Sequence, residues 1–182
     1  LKMKKRFIII SSSLALITAL TFSCKKEKAT DPEPTPTPTP VAQEFIADST
    51  TFVNFMTWTV QATKKGPSPS LGTAHVGNDT SVTRRIHFKD GQNPVNGKYP
   101  IGTIIVKHGT NPAGTVNELT AMVKRGNNFN SSVGDWEFFM LSPNGKIAKD
   151  AQGNPMRGAS LMGGMCGGCH GAASAKDYIF SK

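Results

Sequence analysis

The chain has 182 residues, a formal net charge of +9 and three cysteines. This length allows one ordinary domain and little more. Removal of residues 1–23, which carry four cations and no anion, leaves a formal charge of +5. A nucleic-acid-binding protein needs a concentrated basic face, and this mildly basic remainder supplies none, so we expect no nucleic-acid partner.

The first predicted element is an export signal over residues 1–23. A basic start precedes an apolar run over residues 7–22, which is too short and too rich in serine for a membrane-spanning helix. Cys24 follows the small residue Ser23, as at the cleavage site of a bacterial lipoprotein. We therefore expect a periplasmic or cell-envelope protein that a lipid on Cys24 anchors to a membrane. The alternative is ordinary cleavage nearby, which leaves Cys24 as a free thiol.

Residues 24–43 are predicted to combine the lipid anchor with a linker. Proline recurs at every second position from 32 to 40, mostly in alternation with threonine. Such a segment has no apolar face to bury and favours an extended, polyproline-type spacer. The folded domain is predicted over residues 44–182.

At the start of this domain, residues 49–65 are predicted to form an amphipathic helix. Ser49 can cap its N terminus, and Phe52, Phe55 and Val60 fall on one face. A phenylalanine-rich stripe of this kind is typical of a core-facing helix.

Strand patterns follow, separated by loops rich in glycine and proline. Alternation or β-branched content predicts strands over residues 81–88, 102–108 and 118–124. Residues 136–148 are predicted as a hairpin, with Asn144-Gly145 at its turn.

The end of the chain is predicted as a loop over residues 150–165 and a short helix over residues 172–178. The expected fold class is therefore α+β, mainly an antiparallel β-sheet with an N-terminal helix and a short C-terminal helix.

The strongest chemical signal is Cys166-Gly-Gly-Cys169-His170. A c-type haem needs two thiols that reach its vinyl groups and an imidazole as axial ligand of the iron, and this motif supplies all three. We predict one covalently bound haem c, with Cys166 and Cys169 as its attachment residues and His170 as the metal ligand.

Three other sites use the same residue types. A zinc knuckle needs a second ligand pair, which is not apparent in the sequence. A thioredoxin-like C-x-x-C belongs to an α/β chain, and a structural disulfide does not need the histidine. Export favours haem, because c-type haem is attached outside the cytoplasm.

The residues alone leave the sixth iron ligand open. Methionine is common in electron-transfer cytochromes, although Met165 adjoins Cys166 and is poorly placed to reach the opposite haem face. The candidates are Met156, Met162, Met165, His75, His87 and His108.

The order of several short motifs is more specific than any one of them. The segments GTIIVK, AMVK and GDWEFF precede C-x-x-C-H and a final DYIF. This order, over most of residues 44–182, resembles the cytochrome P460 family, which includes the cytochromes c′-beta. The resemblance implies a mainly antiparallel β fold with one haem, often a homodimer. It also implies a five-coordinate iron with His170 on one side and an open distal face.

The resemblance implies two further site residues. Lys107 matches the lysine that is cross-linked to the haem ring in cytochromes P460, so it would be both catalytic and cofactor-binding. Arg84 best matches a catalytic arginine in the preceding strand. Arg85 is the neighbouring choice, and a slip of one residue in a strand reverses the face on which the side chain lies.

The implied activity is binding or oxidation of hydroxylamine or nitric oxide by a haem-dependent oxidoreductase, with a redox partner protein. Active members use a nearby carboxylate as base. Residues 151–165 contain no Asp or Glu, so Glu118, Asp135 or Glu137 could serve only if the fold brings one near. The alternatives are gas binding without turnover and electron transfer by a cytochrome c with a Met or His sixth ligand.

Overall fold

The computed structural model describes residues 43–181. The predicted export signal, Cys24 and all but the last residue of the linker therefore lie outside the described residues. Within them, one six-stranded sheet forms, in which every strand pairs antiparallel with the next in chain order. The strands are β1 Thr59–Lys65, β2 Thr83–Phe88, β3 Ile104–Thr110, β4 Asn117–Lys124, β5 Trp136–Leu141 and β6 Arg157–Gly158.

Helical structure is short in this part of the chain. The α-helix, α1, is Met165–Gly171. None of the helices in residues 43–181 is long and apolar enough to cross a membrane. Single 3-10 turns are Phe55–Thr57, Pro69–Leu71, Ala74–Val76, Lys89–Gly91, Ser131–Val133, Leu161–Gly164 and Ser174–Lys176.

The predicted N-terminal helix over residues 49–65 is wrong. The segment begins with turns, continues through the 3-10 turn Phe55–Thr57 and ends as the edge strand β1. Asn54 adopts a left-handed φ of 67°, which interrupts any right-handed helix at that point. The β-branched residues that follow favour an extended chain, and pairing with β2 holds them there.

The predicted strands are confirmed as β2, β3, β4 and β5, and their bounds differ from the predicted ones by no more than two residues. The predicted hairpin turn at Asn144-Gly145 also forms, because Ser142 donates a backbone hydrogen bond to Lys146 at 2.9 Å. Leu141 and Ile147 then meet in an isolated bridge. The C-terminal helix lies earlier than predicted, since α1 contains the C-x-x-C-H motif itself and residues 174–176 form only a 3-10 turn.

The sheet is buried on both faces. On one face, Phe52 and Phe55 pack against strand residues that include Val106 and Phe139. On the other, which we call the C-terminal face, the row Ile105, Met122 and Phe138 crosses β3, β4 and β5. Ile179, Cys166 and Tyr178 cover that row. Burial on both faces explains why residues 104–106 are continuously apolar rather than alternating.

Candidate haem site

Helix α1 presents the two thiols within one turn of each other. It begins after Gly164, whose φ of 85° is a conformation that glycine adopts without steric cost. Cys166 is half-buried, Cys169 is exposed, and both are free thiols. Gly167 lets the helix approach the 3-10 turn Ser131–Val133, because a Cβ there would lie 3.2 Å from the Val133 side chain. Burial raises the pKa of the Cys166 thiol, whereas a redox C-x-x-C pair needs a lowered one.

The imidazole of His170 is held in one orientation. Its Nδ1–H donates to the backbone oxygen of Tyr178 at 2.7 Å, and its ring lies 5.4 Å from the rings of both Phe138 and Phe180. This bond fixes the tautomer and leaves the Nε2 lone pair free, which is the usual arrangement of a metal-binding histidine. Burial also lowers the pKa of His170 and so favours the neutral, ligating form. The donor set therefore fits a c-type haem.

A buried ion pair positions the carbonyl that holds His170. Lys124 Nζ lies 2.8 and 2.9 Å from the two carboxylate oxygens of Asp177, and Trp136 donates from Nε1 to the Asp177 backbone oxygen at 2.9 Å. Asp177 and Tyr178 both have left-handed φ values, 50° and 66°. These contacts fix the turn from which Tyr178 accepts the His170 bond.

Lys107 and Glu118 lie together on the C-terminal face. Lys107 pairs in register with Thr120, two residues beyond Glu118 along β4. Burial lowers the pKa of Lys107 to about 8, although the Glu118 carboxylate opposes this shift. Burial raises the pKa of Glu118, again against the effect of Lys107. The fold thus brings a carboxylate to Lys107 that the residues just before the haem motif do not supply.

The other two candidate carboxylates lie elsewhere. Glu137 points to the opposite face of β5, where Arg157 Nε binds it at 2.7 Å and Arg125 at 3.3 Å. Asp135 accepts a bond from the backbone N–H of Asn130 at 3.1 Å. Both are engaged in holding the sheet and its loops together.

Arg84 lies on the C-terminal face, but its guanidinium binds backbone. It is 2% exposed, and it donates to the carbonyl oxygens of Gly66, His75 and Val76 at 2.7, 2.8 and 2.8 Å. Arg85 is exposed, and it lies on the other side of β2. The structure therefore places Arg84 as the clamp of the loop over residues 66–79.

This loop brings His75 to the site. Its Nδ1 lies 3.3 Å from Thr120 Oγ1 and 3.9 Å from Glu118 Oε2. The pKa of His75 is lowered to about 3, mainly by burial and then by the charges of Lys107, His170 and Arg84. His75, Lys107 and His170 are therefore close enough to influence one another's charge. The sequence gives no local signal for this, because only the tertiary course of the loop brings His75 over β4.

The remaining sixth-ligand candidates are two histidines and three methionines. His87 and His108 pack on the opposite face, with ring centres 5.4 and 5.5 Å from that of Phe55. Met162 and Met165 are exposed, and Met156 pairs through its backbone with Ala148 and Met140. No cluster of three or more His, Cys, Asp or Glu side chains suited to a metal ion occurs in residues 43–181.

Comparison with known proteins gives one match. No curated protein and no solved structure shows a significant match to the chain. The family model described as Cytochrome P460 matches residues 52–181, which include all six strands and the whole C-x-x-C-H helix. The chain therefore belongs to the cytochrome P460 family, a family of c-type haem cytochromes that generally function outside the cytoplasm.

Proposed function

We propose that this protein is an exported, membrane-tethered monohaem cytochrome that binds or oxidises hydroxylamine or nitric oxide at a five-coordinate iron. Cys166 and Cys169 would form the two thioether bonds, and His170 would be the proximal ligand. A lipid on Cys24 would hold the protein at a membrane of the cell envelope, with residues 25–43 as the spacer.

The observation that carries this proposal is the grouping of Lys107, Glu118 and His75 on the sheet face that His170 also contacts through Phe138. The bound haem would supply an iron that takes up electrons and offers a position for the substrate nitrogen. Glu118, whose pKa burial raises, would accept a proton from the substrate. Lys107 would adjoin the haem and bond to its ring, and without that bond its ammonium would stabilise negative charge that develops nearby.

Arg84 would act on this chemistry from a distance. Its three carbonyl bonds hold the loop that carries His75, so we assign it a positioning role. Oxidation of hydroxylamine releases electrons, so it also requires a redox partner protein. A homodimer is the assembly that the family resemblance implies.

Removal of the thiols tests the haem assignment. We expect the full chain, expressed with haem-maturation proteins, to keep its haem after denaturation, because two thioether bonds hold it. The Cys166→Ala/Cys169→Ala variant should lose covalent haem, as judged by haem staining of denatured protein. Cys24→Ala is the matched control. It should keep its covalent haem but no longer be found in the membrane fraction. Covalent haem in the double variant would remove the basis of the proposal.

Absorption spectra test the open iron. Nitric oxide and hydroxylamine should each change the ferric or ferrous spectrum if the distal position is free. A low-spin spectrum that neither compound alters would instead support the second candidate, an electron-transfer cytochrome. His75 favours that candidate more than the other histidines and the exposed methionines do, because it lies on the sheet face that His170 contacts, whereas His87 and His108 lie on the opposite face.

A further inference from the structure

His75 is presented to the site with one ring nitrogen engaged. Nδ1 faces Thr120 and Glu118, and no hydrogen bond to Nε2 occurs among residues 43–181. His170 has the same arrangement, with Nδ1 bound to a carbonyl and Nε2 free. Thr120, which His75 contacts, and Phe138, which His170 contacts, are diagonal neighbours on the C-terminal face of β4 and β5. The two imidazoles therefore lie over the same part of the sheet.

The backbone that carries His75 is strained and firmly held. His75 and Val76 both have left-handed φ values, 51° and 48°, and for a β-branched residue such as valine this is a true outlier. Residues in such conformations cost about 1–3 kcal/mol each and persist where the surroundings impose them. Here the buried Arg84 holds both residues in this conformation, because its guanidinium donates to the backbone oxygens of His75 and Val76.

The sheet beneath is shaped to let the loop approach. Gly109 of β3 faces it, and a Cβ there would lie 3.4 Å from Val76 Cγ2 and 3.7 Å from Glu118 Oε2. A larger side chain at this position would push Val76, and with it His75, away from β4. The left-handed backbone at His75 and Val76, the hydrogen bonds from Arg84 and the absence of a side chain at Gly109 together fix the position of the His75 imidazole.

The charges around His75 decide which nitrogen carries the proton. Lys107 from β3, Arg84 from β2 and His170 from α1 all disfavour the imidazolium. Glu118 from β4 places a carboxylate oxygen beside Nδ1. A carboxylate beside Nδ1 favours the neutral tautomer with its proton on Nδ1, which leaves Nε2 as an acceptor.

We propose that His75 is a specificity-determining residue that accepts, through Nε2, a hydrogen bond from a proton-bearing ligand at the iron, such as hydroxylamine. Nitric oxide and carbon monoxide carry no proton, so they gain nothing from this acceptor. The inference rests on the proposed function, since it requires a bound haem with an accessible distal position.

The test compares two ligands in the haem-loaded full chain. Optical titrations would give the Kd of hydroxylamine for the ferric protein without an electron acceptor, and the Kd of carbon monoxide for the ferrous protein. In His75→Asn, chosen because asparagine tolerates a left-handed φ, the hydroxylamine Kd should rise about five- to tenfold, as expected for one lost hydrogen bond. The carbon monoxide Kd should stay the same or fall.

The carbon monoxide stretching frequency gives a readout that a merely structural role would not move. Loss of a lone pair that faces the ligand should lower this frequency in His75→Asn. Glu118→Gln keeps His75 in place but removes the carboxylate beside Nδ1. It should raise the hydroxylamine Kd and lower the carbon monoxide stretching frequency, each by less than His75→Asn does. His108→Gln is the matched control, because it removes an imidazole from the opposite face of the same sheet.

Three results would overturn the inference. They are an unchanged ratio of the two Kd values in His75→Asn, a stretching frequency that rises rather than falls, and a low-spin ferric spectrum that becomes high-spin in this variant. The last would make His75 an iron ligand. A wild-type protein that binds neither compound would instead refute the proposed function, and the His75 inference with it.

Discussion

At the scale of single residues, the charge of Lys107 decides what this side chain can do. With its pKa lowered by burial to about 8, roughly a tenth of the amine is neutral at pH 7. The neutral amine is the nucleophilic form of lysine. Its bond to a carbon of the haem ring would replace one C–H and one N–H bond, and an external two-electron oxidant such as a peroxide would take up the two electrons. We expect a red-shifted, broadened ferrous absorption band in the wild type.

Lys107→Arg should abolish that band, because arginine keeps the charge but stays protonated and cannot form the bond. Lys64→Arg is the control, since Lys64 is an exposed residue of β1, and its spectrum should match the wild type. Identical spectra for the wild type and Lys107→Arg would show that Lys107 acts only as a cation.

The buried pair Lys124–Asp177 should dominate the stability of the C-terminal segment. Removal of one partner leaves a buried charge without compensation, so Asp177→Ala should lower the free energy of unfolding by about 3–5 kcal/mol. Urea unfolding followed by circular dichroism would measure it. Glu44→Ala, which breaks the more exposed Arg125–Glu44 pair, should leave the free energy of unfolding nearly unchanged, because solvent screens exposed ion pairs. Equal losses in both variants would contradict the assigned role of Asp177.

At the scale of elements, the loop over residues 66–79 depends on one side chain of β2. Arg84→Met removes three donors to the loop, and hydrogen bonds to charged groups contribute about 1.5–3 kcal/mol each. We expect a loss of about 3 kcal/mol or more in stability and faster proteolytic cleavage within residues 66–79, mapped by mass spectrometry. Arg85→Met, on the exposed side of the same strand, should stay within about 0.5 kcal/mol of the wild type. Slow cleavage in Arg84→Met would show that other contacts hold the loop.

Elements with strong local patterns were predictable from the sequence, and those decided by pairing were not. The β-branched and aromatic runs of β2 to β5 predicted strands that the structure confirms. Residues 49–65 carry a helical spacing of Phe52 and Phe55, yet Asn54 turns left-handed and β2 recruits the rest as a strand. The proximity of His75 to Glu118 was equally out of reach, because it depends on a clamp between residues of different elements.

At the scale of the whole molecule, the two faces of the sheet have different roles. The C-terminal face carries α1 and the ionisable group of Lys107, Glu118 and His75, whereas the N-terminal turns seal the other face with Phe52 and Phe55. The sealed face also buries His87, which plays no part in the proposed chemistry. Burial lowers the pKa of His87, with a further contribution from His108, and a contact with the backbone of Trp58 opposes the shift.

This burial predicts a loss of stability in mild acid. Above pH about 6.5, the ordinary pKa of histidine, His87 is neutral in both the folded and the unfolded chain and gives no pH dependence. Below that pH the unfolded chain takes up a proton that the folded chain refuses, so stability falls as the pH falls. We expect the urea midpoint of the haem-loaded protein to decrease from pH 7 to pH 5, where ordinary carboxylates stay ionised. The raised pKa of Glu118 acts in the opposite direction.

His87→Leu should flatten part of this decrease, since leucine removes the proton uptake and keeps an apolar side chain against Phe55. His75→Asn should remove a separate part, because burial lowers the pKa of His75 as well and the two side chains lie on opposite faces. The two effects should therefore add in the double variant. An unchanged slope in His87→Leu would mean that the N-terminal turns open readily enough to let His87 protonate in the folded chain, and the sealed face would then be a mobile one.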